Sequence, residues 1–119
     1  MHFESIRDFI IKKPGVTEEF PFDKSTLVFK VMGKMFALLP LERIPASINL
    51  KCDSERSLEL RDTHEGITPG FHMNKTHWNT ILLESDVSSQ LLAELINHSY
   101  ELVVAKLTRA LKADLETLG

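Results

Sequence analysis

The chain has a single cysteine and no apolar run near the ~20 residues that a membrane helix needs. Because one thiol forms no internal disulfide framework, Cys52 favours a reducing, cytoplasmic location. No secretory signal is expected, since residues 1–13 place Glu4, Arg7 and Asp8 among the apolar positions. These absences argue against a disulfide-rich secreted domain and against a membrane-spanning protein.

Catalytic motifs are missing as well. The sequence contains no G-x-S-x-G, no glycine-rich phosphate loop, no H-E-x-x-H and no C-x-x-C. Glu18 and Glu19 are adjacent in an expected loop, which does not fix the geometry that acid–base catalysis requires. Cys52 is expected to be a buried, inert thiol at the end of a strand. The sequence therefore predicts a protein that is not an enzyme and holds no cofactor.

What is present is the composition of an ordinary globular domain. The chain has 119 residues, of which 43% are hydrophobic and 26% charged, and its net charge is −3. No internal repeat, linker or low-complexity tract divides it, so residues 1–119 are expected to form one domain. Proteins that bind the nucleic-acid backbone usually have a basic domain, whereas the net charge of this chain is negative.

The charges are nevertheless segregated along the chain. Residues 24–51 carry five basic residues against Glu42 alone, a net charge of +4. Residues 66–83 contribute +1 through Lys75, which leaves −8 for the rest. The sequence predicts a basic sheet side and an acidic helical side, although the low strand propensity of Asp and Glu accounts for part of this.

Periodicity predicts an α+β domain with the order α-β-β-β-α-β-β-α. A first helix ends before Pro14-Gly15, Met32-Gly33 makes a hairpin turn, and Asp53 caps a short helix. The last long helix is expected to start at Ser85 or Asp86. Hairpin-length connections predict a mostly antiparallel five-stranded sheet with helices packed on one face. The predicted strands are residues 26–31, 34–39, 46–51, 66–73 and 78–83.

Strand alternation puts Lys30, Asn49 and Lys51 on the side of the sheet away from the apolar positions. They are predicted to form an exposed basic stripe. Lys34 lies beside the hairpin turn, where a projecting hairpin would bring it near a phosphate of a bound nucleic acid. The simpler interpretation is that solvent-facing strand residues are polar, and that lysine protects a sheet edge.

The densest polar cluster is residues 71–79. A metal site at His72 and His77 is disfavoured, because the H-x4-H spacing fits neither a helical pair nor a knuckle. A nucleic-acid interpretation places Lys75 on a phosphate, Asn74 and Asn79 on polar edges, and Trp78 or His77 in a stack. The alternative is a polar turn whose Trp78 closes the core. The strip of Lys106, Arg109 and Lys112 is expected to be a solvated helix face.

Five blocks of the sequence carry a family resemblance, and they are residues 14–22, 29–36, 48–53, 69–79 and 98–106. They resemble the signature blocks of the MmcQ/YjbR family, in the order that the family has them. The resemblance implies a small bacterial cytoplasmic protein of the secretion-chaperone-like (CyaY-like) fold, with the order α-β3-α-β2-α. It leaves residues 107–119 outside the matched blocks.

The resemblance also implies DNA binding through a double-wing arrangement of the sheet and its loops, without a catalytic role. Because the basic sheet side is thin and the rest of the chain is acidic, we expect the binding of double-stranded DNA through that side to be weak. No metal, cofactor or membrane is expected. The competing hypothesis is a chaperone-like module that binds a protein partner or itself. The implied DNA-binding residues are Lys30, Lys34, Asn49, Lys51, His72, Asn74, Lys75, His77 and Trp78.

Overall fold

The structure is a computed structural model, and it describes residues 1–71 and 73–118. Its helices are α1 (Phe3–Ile11), α2 (Ser54–Thr63), α3 (Ser89–Ala105) and α4 (Arg109–Leu118). Its strands are β1 (Val16–Glu19), β2 (Thr26–Val31), β3 (Lys34–Pro40), β4 (Ser47–Lys51), β5 (Ile67–Pro69) and β6 (Trp78–Leu82). The predicted α+β class is confirmed.

The six strands form one antiparallel sheet in the order β1-β2-β3-β4-β6-β5. Met32 and Gly33 close the β2–β3 hairpin with φ of 49° and 83°. Two positive φ angles match the right-handed twist of the strands, and glycine adopts one at little cost. The C-terminus of β4 and the N-terminus of β6 lie at the same end of the sheet as this turn, which we call the hairpin end.

The helices all pack on one face of the sheet, as predicted. Alternate side chains of β2, β4 and β6 point into a core that each helix enters with at least one buried residue. Examples are Phe29 and Ile48 from the sheet, and Ile10 and Ile96 from α1 and α3. The opposite face, called here the open face, carries a small separate cluster of Val28, Leu38 and Trp78.

The first strand was not predicted. Val16–Glu19 contains two glutamates, which are uncommon in strands, and only Val16 packs against the core. The strand forms because β2 offers an unpaired edge, and Glu18 and Glu19 pair with Phe29 and Val28. The sheet therefore has six strands rather than five, and its first strand brings acidic side chains to a region predicted to be basic.

The last helical segment also differs from the prediction. Ser88 is the N-cap of α3 and its hydroxyl accepts from Leu91 N at 3.0 Å, so the expected caps at Ser85 and Asp86 are wrong. The Asp86 carboxylate instead accepts from the backbone N–H groups of Glu65 and Gly66. The structure has two helices, α3 and α4, where a single helix was predicted. The chain turns after Ala105, and α4 begins where the Thr108 hydroxyl accepts a hydrogen bond from Leu111 N.

Candidate functional site

Lys30 lies on the open face, as alternation predicts, but it does not stand free in a basic stripe. Its ammonium forms an ion pair with Glu19 of the neighbouring strand β1. Lys30 is directly opposite Thr17, so Glu19 reaches it diagonally across the two strands. The predicted basic stripe did not include this acidic neighbour, because β1 was not predicted.

Asn49 also lies on the open face, but it is only 5% exposed. Its side-chain Oδ1 accepts a hydrogen bond of 2.6 Å from the Thr80 hydroxyl on β6. The predicted exposure of Asn49 is therefore wrong, because the segments flanking the sheet cover the middle of the open face.

Trp78 is 5% exposed and packs against Val28 and Leu38 on the open face. The ring therefore closes an apolar cluster, as the structural alternative predicted, and it is not available to stack on a base. The ammonium of Lys51 lies 5.6 Å from the centre of the indole ring. This contact holds the half-buried Lys51 side chain at the hairpin end.

The residues before Trp78 form a turn that α2 fastens to the sheet. Asn74 and Lys75 are exposed, and Asn74 Oδ1 accepts from Thr76 N at 2.9 Å. Arg61 of α2 donates to Lys75 O at 2.5 Å and to Asn79 Oδ1 at 2.8 Å. Asn79 is accordingly buried rather than free to read a base edge. His72 lies outside the described residues.

A pocket at the hairpin end brings Lys51 and His77 together with Lys106. We call these three residues, with the pocket they surround, the basic pocket. Its volume is about 270 Å3, and its remaining lining is Cys52, Asp53, Ser54 and Leu102. Lys106 is the C-cap residue of α3. The sequence predicted it to be part of a solvated helix face. The sequence did not indicate that Lys106 lies beside Lys51, because the two lysines are far apart in the chain.

The basic pocket is electrostatically unbalanced. Burial lowers the pKa of Lys51, and the positive charge of Lys106 lowers it further. Within the described residues, neither lysine has a carboxylate within ion-pair distance. Asp53 supplies one acidic group on the wall, but its carboxylate accepts from Arg56 N as the N-cap of α2. An anion entering this pocket relieves the repulsion between two lysines.

The other candidates at this end are the cationic side chains of Lys34 and Lys75. Lys34 begins β3 beside the hairpin turn and is exposed, and no ion pair of the described chain includes it. The ammonium of Lys75 donates to Gly70 O at 3.3 Å. Both side chains project from the same end of the sheet as the basic pocket, so one extended polyanion can contact them together.

Cys52 lines the basic pocket, but its thiol is not activated as a nucleophile. The thiol is buried, and burial raises its pKa, which keeps the sulfur protonated at neutral pH. Over residues 1–71 and 73–118, no three His, Cys, Asp or Glu side chains cluster in a way that suits a metal ion. In the same part of the chain, no helix has the length and hydropathy to cross a membrane.

Sequence comparison finds similar proteins across most of the chain. A family model described as YjbR matches residues 11–102. The uncharacterized protein YbdF of Escherichia coli O157:H7 is 38% identical over 106 residues, which cover 89% of this chain and 87% of YbdF. The uncharacterized protein YyaQ of Bacillus subtilis is 32% identical over 114 residues, covering 83% and 95% of the two chains.

Solved structures show the same architecture. The crystal structure of Deinococcus radiodurans protein DR2400, a DUF419 domain, matches with a TM-score of 0.89 and 41% identity. That match covers 95% of this chain and 86% of the other. The crystal structure of a Pseudomonas syringae protein matches with a TM-score of 0.72 and 32% identity, covering 86% and 98%.

Proposed function

The chain belongs to the YjbR family, and we propose that it is a weak, non-catalytic DNA-binding protein whose basic pocket receives a backbone phosphate. One observation carries the proposal: Lys51 and Lys106 face one pocket, and no described carboxylate pairs with either. Phosphate contacts by lysine supply most of the sequence-independent affinity for DNA. His77, also on the pocket wall, adds a donor to the same anion.

Lys34 and Lys75 extend the proposed contact along the backbone, and Asn74 offers an exposed amide beside them. Lys30, Asn49 and Trp78 are not assigned contacts, since the first is ion-paired and the others are buried. The proposed interface is therefore smaller than the sequence predicted, and it is centred on the hairpin end rather than on the open face.

Such an interface binds weakly and depends on salt. With two or three phosphates neutralised, log K falls against log salt with a slope of about −1.8 to −2.7. Raising the salt from 50 to 200 mM therefore weakens binding roughly 10- to 40-fold. The net charge of −3 opposes binding further, because the acidic parts of the surface repel the duplex.

The test is a fluorescence titration of a labelled duplex of about 20 base pairs at several salt concentrations. We expect Lys51→Gln and Lys106→Gln each to lower the salt slope by about 0.9, while Lys24→Gln leaves it unchanged. Lys24 is the matched control, since it is exposed and lies in the β1–β2 loop at the other end of the sheet. Binding without salt dependence, or equal effects of the three variants, would contradict the proposal.

A self-associating module without a nucleic-acid role is the second candidate. It is supported by apolar side chains exposed in the loops opposite the hairpin end, above all Ile44, which is 93% exposed, and Phe20. Light scattering across a concentration series tests it. A dimer that Ile44→Ser abolishes, together with no DNA binding at low salt, would favour this candidate over the first.

A further inference from the structure

The open face contains a second, chemically different cavity. A cleft of about 430 Å3 lies over Leu38 and Met35 of β3, and Phe22, Phe71 and Met73 also line it. This volume and the apolar lining are typical of sites that bind small molecules. Phe22 is 65% exposed, so the cleft is open to solvent along this wall.

Asn49 gives the apolar cleft an unused donor. Phe71 N donates to the Thr80 hydroxyl at 2.9 Å, and that hydroxyl donates to Asn49 Oδ1 at 2.6 Å. This relay fixes the orientation of the amide, because the hydroxyl hydrogen needs the oxygen as its acceptor. The Nδ2 group therefore points away from Thr80, and within the described residues it has no hydrogen-bond partner.

The Asn49 amide is not sealed inside the protein. Asn49 lines the cleft, and its Nδ2 is not among the fully buried, unpartnered polar atoms of the described chain. An amide donor without a partner, on a residue that is only 5% exposed, favours a ligand that carries an acceptor.

Arg43 supplies a positive charge at the same cleft. Its guanidinium lies 4.1 Å from the centre of the Phe71 ring, and it has no ion pair with any described carboxylate. Asp23 also lines the cleft, but its Oδ1 accepts from Ser25 N at 2.9 Å and from Thr26 N at 2.7 Å. The Asp23 oxygens are thus engaged in the turn, and no described carboxylate pairs with Arg43.

We infer that this cleft binds a small apolar molecule bearing a carboxylate, whose oxygens meet Arg43 and the Nδ2 group of Asn49. The apolar body lies against Leu38, Met35 and the Phe22 ring. Charge complementarity selects the carboxylate, since a guanidinium without a carboxylate partner and an unpaired amide donor both favour an anionic acceptor. The inference is independent of DNA binding, because none of these side chains belongs to the basic pocket.

Trp78 allows a direct test. It is the only tryptophan, and Met35 and Met73 pack against its cluster on one side while they line the cleft on the other. Titration with 4-phenylbutyrate is expected to shift the Trp78 emission, whereas the amide analogue binds roughly tenfold more weakly and 4-phenylbutylamine does not bind. In NMR spectra, the carboxylate shifts the Asn49 side-chain NH2 resonances downfield, and the amine leaves them unchanged.

Variants separate the site from nonspecific binding. Arg43→Gln is expected to abolish the preference for the carboxylate over the amide, while Lys24→Gln, an equal change in charge on a neighbouring loop, preserves it. Phe22→Ser should weaken binding of the carboxylate and binding of the amide to the same extent, because it removes an apolar wall of the cleft. Absence of saturation by 10 mM phenylbutyrate, binding of the amine, or an unchanged preference in Arg43→Gln would overturn the inference.

Discussion

Lys51, at the end of β4, and Lys106, at the end of α3, face one pocket, and Lys106 adds to burial in lowering the pKa of Lys51. Two like charges repel each other, and no carboxylate of residues 1–71 and 73–118 pairs with either lysine. The fold tolerates the repulsion because Lys51 also lies over the Trp78 ring. This arrangement is typical of a site that an anion completes. It is the reason for centring the proposed DNA contact on the hairpin end.

Lys30 is predicted to contribute little to DNA binding, because Glu19 already neutralises it. In the duplex titration, Lys30→Gln should change affinity less than twofold, whereas Lys51→Gln weakens it several-fold at 50 mM salt. Glu19→Gln should strengthen binding modestly, since it releases the Lys30 ammonium. If Lys30→Gln matched Lys51→Gln, the open face rather than the basic pocket would be the contact surface.

His98 is predicted to make stability depend on pH. Its Nε2 accepts a hydrogen bond from Asp53 N at 3.1 Å, which requires a neutral ring. Burial lowers the pKa of His98 below its ordinary value of 6.5, and the Arg56 charge lowers it further. The unfolded chain therefore takes up the proton first, so this contribution to stability is fully present above pH 6.5 and declines below it.

Urea unfolding at pH 7.5 and pH 5.5 measures this effect. The wild-type protein should lose more stability between these two pH values than His98→Phe, in which the titrating ring is absent. His77→Phe is the control, because His77 is exposed at the rim of the basic pocket. An identical pH dependence in wild type and His98→Phe would show that the ring does not titrate as described.

Ser99 is predicted to be a stabilising link between α3 and the sheet. Its fully buried hydroxyl donates to Phe36 O at 2.5 Å and accepts from Lys51 N at 2.9 Å. Ser99→Ala should lower the free energy of unfolding by about 1–3 kcal/mol, because it leaves two buried backbone groups unpaired.

Ser47 provides the contrast to Ser99. Its hydroxyl is also fully buried, yet it has no hydrogen-bond partner in the described chain. Ser47→Ala should leave stability unchanged or raise it by up to about 1 kcal/mol, since it removes an unsatisfied group. Equal losses in the two variants, measured by urea unfolding, would contradict the hydrogen-bond argument.

Arg61 is predicted to hold the turn that carries Lys75 and His77. Its guanidinium reaches Lys75 O, Trp78 O and Asn79 Oδ1, a set that a lysine ammonium does not reproduce. Arg61→Lys should cost about 1–2 kcal/mol and speed amide hydrogen exchange across residues 74–78. Arg109→Lys, a change at an exposed position, serves as the control and should have neither effect.

Much of the fold follows from local sequence. The hairpin at Met32-Gly33 and the cap at Asp53 were predicted from residue type, and the structure confirms both. Period-two alternation also assigned Lys30, Asn49 and Lys51 to the correct face of the sheet. These features depend on neighbours a few residues away, which a sequence displays directly.

The exposure of those residues was not predictable in the same way. Alternation gives the direction of a side chain, but burial depends on which distant segments cover that face. Lys30 is paired with Glu19 of β1, a strand that is hard to predict because glutamate is uncommon in strands. Asn49 is covered by segments flanking the sheet. Lys106 joins Lys51 only through the packing of α3 on β4, and nothing in local spacing indicates that contact.

The most direct test of the proposed interface is an NMR chemical-shift map of the protein with a short DNA duplex at 50 and 200 mM salt. The account predicts shifts centred on Lys51, His77 and Lys106, with smaller shifts at Lys34 and Lys75, all of which diminish at the higher salt. Shifts confined to α4, or no shifts at 50 mM salt, would contradict it.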